Sequence, residues 1–575
     1  MKRGTIVAWA MLLSAPLALL AADRAIAPTG ALIKVLSEEL DHSMANLAMP
    51  DGTKPYFLSY AVTDRQRVSL SAELGALTSD DADHTRLLDV DVRVGDYTLD
   101  NTHKIRDEFM GFDPSDFMGR QATPISLSSD PVAIKQAVWL ATDRTFKSAA
   151  KKYQRVLTNL KTKVEEEDKS DDFTREEPNV YSESEVKLEL DREAWAQRVR
   201  NVSKLARQYP LIYNSRVSLT ASAQNKYFVN SEGSTIQQGQ KYLRVSVRAG
   251  TKAEDGMELS QSKIFSAASE DGLPGEGELK AAFQKVIDQV LALREAPLVE
   301  PYTGPAILMN RASAVFFHEI FGHRIEGHRQ KDVEEGQTFT KKLGEQVLPD
   351  FISVHDNPSM AKWGETDLRG YYKYDDEGVA ARDVTLVENG VLKTFLMSRS
   401  PVQDFTRSNG HGRCSPGNKV VSRMGNTIVY SAKTTGFAEL RKMLIEECQK
   451  QDKPYGLLFD DITGGFTGTR RAGVQTFKVL PVVVYRVYAD PQRAGEDELV
   501  RGVDIVGTPL TSFSKIIYTG DDPDIFNGTC GAESGMVPVS GVSPSILVSE
   551  IEVEKRRREQ DKPPILTPPI AESRK

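Results

Sequence analysis

Cysteine is scarce: Cys414, Cys448 and Cys530 are the only three in a chain of 575 residues. So few thiols exclude a scaffold built on disulfides. An excess of one charge is also missing. Lysine and arginine total 73 against 81 aspartates and glutamates, a net charge of −8, so the chain as a whole has no pull toward nucleic acid. After residue 22 no apolar run approaches the roughly 20 residues of a membrane span. The serine-nucleophile elbow G-x-S-x-G and the phosphate loop G-x-x-x-x-G-K-[ST] are both absent. What remains is ordinary: 40% hydrophobic and 27% charged residues, the mix of a globular protein rather than a disordered, collagenous or membrane one. At about 150 residues per domain, this length suggests two to four domains.

The N-terminus has the layout of a secretory signal peptide. Lys2 and Arg3 precede the nearly all-apolar stretch Thr5 to Leu20, and the small residues Ala21 and Ala22 stand before Asp23. Cleavage is expected after Ala22; Ala27 also fits the small-residue rule but precedes Pro28. The mature protein is expected outside the cytoplasm, secreted or periplasmic, with no stable membrane span.

Periodicity then sets out the elements. Ala31 to Leu47, Pro131 to Val164, Asp191 to Tyr209 and Glu278 to Arg294 carry apolar residues at helical spacing, and Tyr56 to Leu70, Leu87 to Tyr97, Ile212 to Phe228 and Lys241 to Ala249 alternate as strands do. Val164 to Pro178 is highly charged and reads as a solvated loop or hinge. Pro297, Pro301, Gly304 and Pro305 mark a domain boundary. Beyond it, Asn389-Gly390 signals a two-residue hairpin, Phe477 to Tyr488 a strand interrupted by Pro481, Ser545 to Val553 another strand, and Phe437 to Gln449 a helix. Asp460 to Gly473 is glycine-rich and reads as a turn-rich loop lining or covering a cleft. The division expected is a signal peptide over 1–22, a first domain over 28–300, a second over 301–554 and a disordered tail over 555–575.

The chain has eight histidines, and His318, His323 and His328 fall within eleven residues of one another. Val315, Phe316, Ile320 and Phe321 give the segment an apolar body, so its polar groups need partners, and a metal ion is one such partner. The pattern is His318-Glu319-x-x-x-His323, at i and i+5. On a regular α-helix those side chains lie roughly 140° apart. Sharing one ion therefore requires an irregularity, for example a π-bulge, with Gly322 the easiest place for it. Glu319, next to the first histidine, is then the candidate general base for a metal-bound water. An open zinc site usually has three protein ligands. Glu326, His328, Cys414 and Cys530 all qualify for the third, and spacing does not choose among them. Cys414 and Cys530 pairing as a disulfide is a further alternative, and Cys448 reads as a structural residue of its helix.

The stretches HEIFGHRIEG, NGHGR, Phe459 to Tyr488 and GTCGAESGMVPVSGVSPSILVSEIEVE together resemble the TldD/PmbA family of metallopeptidases, strongly over Pro305 to Glu554 and more weakly before it. The resemblance implies zinc bound by His318, His323 and Cys530, with Glu319 as the base. It implies an α+β fold of two domains, an N-terminal α/β domain and a C-terminal β-rich domain carrying the metal-site helix. It also implies a homodimer, or a heterodimer with a related subunit, enclosing the site, and a short or unfolded peptide as substrate. TldD-type subunits keep the metal motif, as this chain does, and PmbA-type subunits lose it. His328 stands where TldD-like chains often carry an acid; it reads as a surface histidine, with a spare ligand or a substrate contact as alternatives. Besides an exported zinc peptidase, two other readings fit the residues: a zinc-stabilised peptide-binding or assembly subunit that needs a catalytic partner, and a non-peptidase hydrolase with the same metal-water chemistry.

Overall fold

Two long hairpins build the first sheet. In the computed structural model, which describes residues 30–105, 122–161, 168–332, 335–470, 477–556 and 562–572, strands Pro55–Glu73 and Ala76–Val94 pair antiparallel, as do Asn214–Asn230 and Thr235–Lys252. Pro55–Glu73 joins Asn214–Asn230 to unite the hairpins, and Glu258–Ala267 adds to Thr235–Lys252. The signal segment lies outside the described residues. Among the described residues no helix is long and apolar enough to cross a membrane.

Alternation decides which face of this sheet is covered. Val217, Leu219 and Ala221 on one strand, and Leu243, Val245, Val247 and Ala249 on the next, pack with Trp195 and Val199 of helix Arg192–Ser203 and with Phe283 and Val286 of helix Glu276–Glu295. Farther along the same strands, Leu58, Tyr60, Tyr227 and Val229 meet helices Ala31–Asn46 and Pro131–Leu160. The intervening positions point the other way. From them Gln238 donates to the Tyr374 carbonyl at 2.8 Å and Gln240 to that of Tyr371 at 3.2 Å, joining the first half of the chain to the second.

The second half holds two large sheets and, among the described residues, two two-stranded ones. One large sheet has six strands, in the order Val391–Leu392, Val384–Glu388, Ile352–Asp356, Asn426–Ser431, Gly535–Ser543 and Asp524–Ala532. In the other, Tyr302–Leu308, Tyr455–Thr467, Phe477–Tyr488, Val503–Gly507 and Ile546–Lys555 pair in turn, and the last returns to the first to close a ring. The molecule is thus an α+β protein with a β-rich second half, as expected. The helix Asn310–Ile320 lies between the two sheets, with Phe316 and Phe317 packed against Phe477 and Phe513. The hairpin at Asn389-Gly390 forms with positive φ at both residues (48° and 82°), as its turn chemistry demands.

Three sequence expectations fail in detail. Asp460 to Thr467 is not a loop but the end of a strand running from Tyr455, irregular in register between Phe459 and Gly464. The irregularity lies opposite Pro481, which lacks a backbone donor, so Phe477–Tyr488 continues through the proline without interruption. The charged stretch is solvated only in part: within its described residues, Phe173 is buried between two guanidiniums, Arg93 at 3.6 Å and Arg399 at 3.9 Å from its ring centroid. The Thr174 amide donates to the Arg399 carbonyl at 2.8 Å, and Asp172 meets His103 at 2.8 Å. Asp172, Phe173 and Thr174 are buried, while Lys169, Asp171, Arg175 and Glu177 beside them stay exposed, a distinction that composition does not make.

Candidate metal centre

The metal-site helix begins where strand Tyr302–Leu308 ends. Asn310 anchors its first turn, donating from its amide to Ser545 Oγ at 3.0 Å and from its side chain to the Asp522 carbonyl at 3.0 Å. Every residue from Ala312 to Ile320 is buried, which suits a helix enclosed by two sheets. The helix stops at Ile320, and a 3-10 turn over Gly322–Arg324 follows. The break expected near Gly322 is present, as a helix end rather than a π-bulge. Packing there is close: a Cβ would stand 2.0 Å from Met424 Sδ, so a larger residue would have to displace that side chain. Arg324 folds back over the helix end, donating to the carbonyls of Glu319 at 3.1 Å and Ile320 at 3.2 Å, which the helix leaves without partners.

This change of geometry brings together side chains that a straight helix would separate. The His318 and His323 rings lie 5.1 Å apart at 80°. Cys530, on strand Asp524–Ala532, places its Sγ 3.3 Å from His323 Nε2. One nitrogen from each histidine and the sulfur all fall within 4.8 Å of one another, and all three residues are buried. Burial alone would raise the Cys530 thiol, but the two imidazoles outweigh it and hold it well below its ordinary range. Burial alone would lower His318 and His323, and the Cys530 thiolate instead lifts both. The triangle therefore holds a thiolate against imidazolium protons, the positions a divalent cation would take. Two imidazoles and a thiolate are the donor set that zinc favours, so the residues fit that ion.

Glu319 lies beside this triangle, and burial pushes its carboxyl above the ordinary range. Strand Tyr455–Thr467 passes so close that a Cβ on Gly465 would lie 2.7 Å from Glu319 Cγ. Gly465, one of the glycines that suggested a loop, instead lets a strand lie close against Glu319.

The other candidate ligands have different places. Cys414 is outside the triangle, its amide donating to Asp376 at 2.9 Å. Cys448 packs with Leu440 and Leu444 in an apolar cluster. No cysteine among the described residues is disulfide-bonded. His328 pairs with Glu533 through Nε2 and is mostly covered rather than a surface histidine. Glu326 faces Nδ1 of His323 at 3.4 Å instead of joining the triangle. Despite full burial, the positive groups of His323, Arg329 and Arg423 hold Glu326 down at about 2. Sequence reasoning passed over Arg423 and Arg324 altogether. The buried acid Glu326 was the available signal, since it calls for a buried cation.

Residues 301–555 match the family model of the PmbA/TldA metallopeptidase C-terminal domain. That half of the chain is similar to the C-terminal domain of the PmbA/TldD metallopeptidases. Among PmbA/TldD-like relatives, a metalloprotease of Archaeoglobus fulgidus is 30% identical over 264 residues, 45% of this chain and 56% of that protein. A zinc metalloprotease TldD homolog of Saccharolobus solfataricus is 26% identical over 287 residues, 46% of this chain and 57% of its own length. The chain thus spans little more than half the length of these two relatives. The crystal structure of TldE from Thermococcus kodakarensis superposes with a TM-score of 0.60 at 14% identity, covering 91% of this chain and all of that one. That likeness is one of fold alone, and it runs across both halves of the molecule.

Proposed function

We propose that this chain is an exported zinc-dependent metallopeptidase that cleaves short or unfolded peptides. The observation that carries the reading is the meeting of His318, His323 and Cys530 within 4.8 Å beside the buried Glu319. His318, His323 and Cys530 would hold the ion. Bound zinc supplies a water that ionises near neutral pH and polarises the scissile carbonyl. Glu319 takes the proton of the attacking water and delivers it to the leaving amine; its upward-shifted carboxyl suits a group that must both accept and release a proton near neutrality. The ordered strand at Gly465 restricts the carboxylate to a narrow space, favouring one orientation.

The strand bearing Cys530 is the edge of its sheet, with Gly535–Ser543 its only strand partner among the described residues. An extended peptide that paired along it would pass the thiolate, and this mode of binding suits unfolded chains of varied sequence. Pairing with a second copy or a related subunit, and placement outside the cytoplasm directed by the first 22 residues, complete the proposal. Replacing Glu319 with Ala is expected to abolish cleavage of an unstructured peptide while zinc content stays at wild type. Full cleavage by that variant would refute the assignment of the base.

A further inference from the structure

Glu326 and Arg423 are both fully buried, and the hydrolysis just described uses neither. Two buried ions are costly unless something specific is gained from their geometry. Their partners show what that is. Arg423 Nε lies 3.3 Å from Glu326 Oε1. From the same guanidinium, Nη2 donates to the Cys530 carbonyl at 3.0 Å and Nη1 to Ser534 Oγ at 2.7 Å. Glu326 accepts from Arg329 Nε at 2.8 Å and faces His323 Nδ1 at 3.4 Å.

The metal-site helix fixes His318 alone. His323 comes from the turn after it, and Cys530 from an edge strand distant in sequence. Since His323 Nε2 is the nitrogen beside Cys530 Sγ, Nδ1 must carry the proton for the ring to act as a ligand, and the carboxylate at Nδ1 favours that tautomer. Resting on the metal reading above, we propose that Glu326 and Arg423 form one brace that positions two of the three ligands: Glu326 orients His323 through its second nitrogen, and Arg423 holds the Cys530 backbone against the same carboxylate. Both are positioning residues. A pair that merely held the hairpin in place would affect stability and leave the metal affinity of the folded protein unchanged.

The test is zinc affinity, read by competition with a chromogenic chelator, for the full-length wild type, Glu326→Gln, Arg423→Lys and the double variant. Glu326→Gln keeps the volume and removes the charge. It is expected to bind zinc about 10–100-fold more weakly, with near-ultraviolet circular dichroism unchanged. Its cobalt-loaded form is expected to keep a thiolate charge-transfer band while the d–d bands shift. Wild-type zinc affinity in a folded Glu326→Gln overturns the brace. Should that variant not fold, Arg423→Lys decides. It keeps a positive charge near Glu326 but loses the fork to Cys530 and Ser534, and is expected to weaken zinc about tenfold, within the range for such outer contacts. Unchanged affinity in folded Arg423→Lys is equally fatal. Because one brace is proposed, the double variant is expected to lose less than the sum of the two single losses; full additivity contradicts it. A wild-type chain that takes up no zinc would instead overturn the metal reading on which the brace rests.

Discussion

The two halves of this molecule bury different things. In the first, the covered positions are apolar and alternate along the strands, as at Val217, Leu219 and Ala221, or Val245, Val247 and Ala249. In the second, an apolar core is threaded by buried polar and charged side chains: Glu326, Asp356, Arg399, His411 and Arg423 are each at most 1% exposed. The first half has buried charged groups too: Asp64 pairs with Arg86 within the first sheet, and Arg93 and Asp100 lie by the seam, where Phe173 separates Arg93 from Arg399. Hydrophobic burial is non-directional and tolerates small shifts. An ion pair in a dry interior is stable only in a narrow geometry. Of the buried groups in the second half, Glu326 and Arg423 stand against the metal triangle, where particular atoms must be held at particular distances, while Arg399 stands at the seam between the halves.

This contrast can be tested from the apolar side first. Leu219→Ala opens a cavity in the first half and is expected to cost about 2–5 kcal/mol of stability in urea unfolding, with zinc affinity at wild type. A parallel fall in zinc affinity would mean that the two halves do not divide support from chemistry as described. The charged side gives a smaller, pH-dependent effect. Glu326 is held at about 2 in the folded chain, below the ordinary glutamate range. A depressed carboxyl stabilises the fold at pH values above its unfolded pKa of about 4.3, and that stability is lost as pH falls from there toward 2. Hydrogen exchange of the metal-free protein is thus expected to lose protection around residues 310–330 and 423–431 before it does so in the first sheet, and Glu326→Gln is expected to flatten that dependence. Simultaneous loss in both halves would contradict it.

The same contrast explains what the sequence made legible. Period-two and helical patterns, which record non-directional burial, located the long hairpins of the first sheet and most helices. The i, i+5 spacing of His318 and His323 was enough to demand a break at Gly322, because it conflicts with helix geometry. Phe173 was hidden by the charges around it, since its own contacts with Arg93 and Arg399, and that of Asp172 with His103, involve residues distant in sequence. Arg423 left no local pattern at all; only its distant partner Glu326 gives it meaning. The glycines near Gly465 suggested a turn, yet Gly465 itself lets a strand approach Glu319 closely, and composition does not separate those two uses.

The most direct test of the central claim is the zinc content of the purified protein by mass spectrometry, for wild type, Cys530→Ser and Cys414→Ser. The account predicts about one zinc per chain in wild type and in Cys414→Ser, as expected for a single three-ligand site, and a large loss in Cys530→Ser alone. Equal zinc in all three, or equal loss in both variants, would contradict a metal centre built from His318, His323 and Cys530.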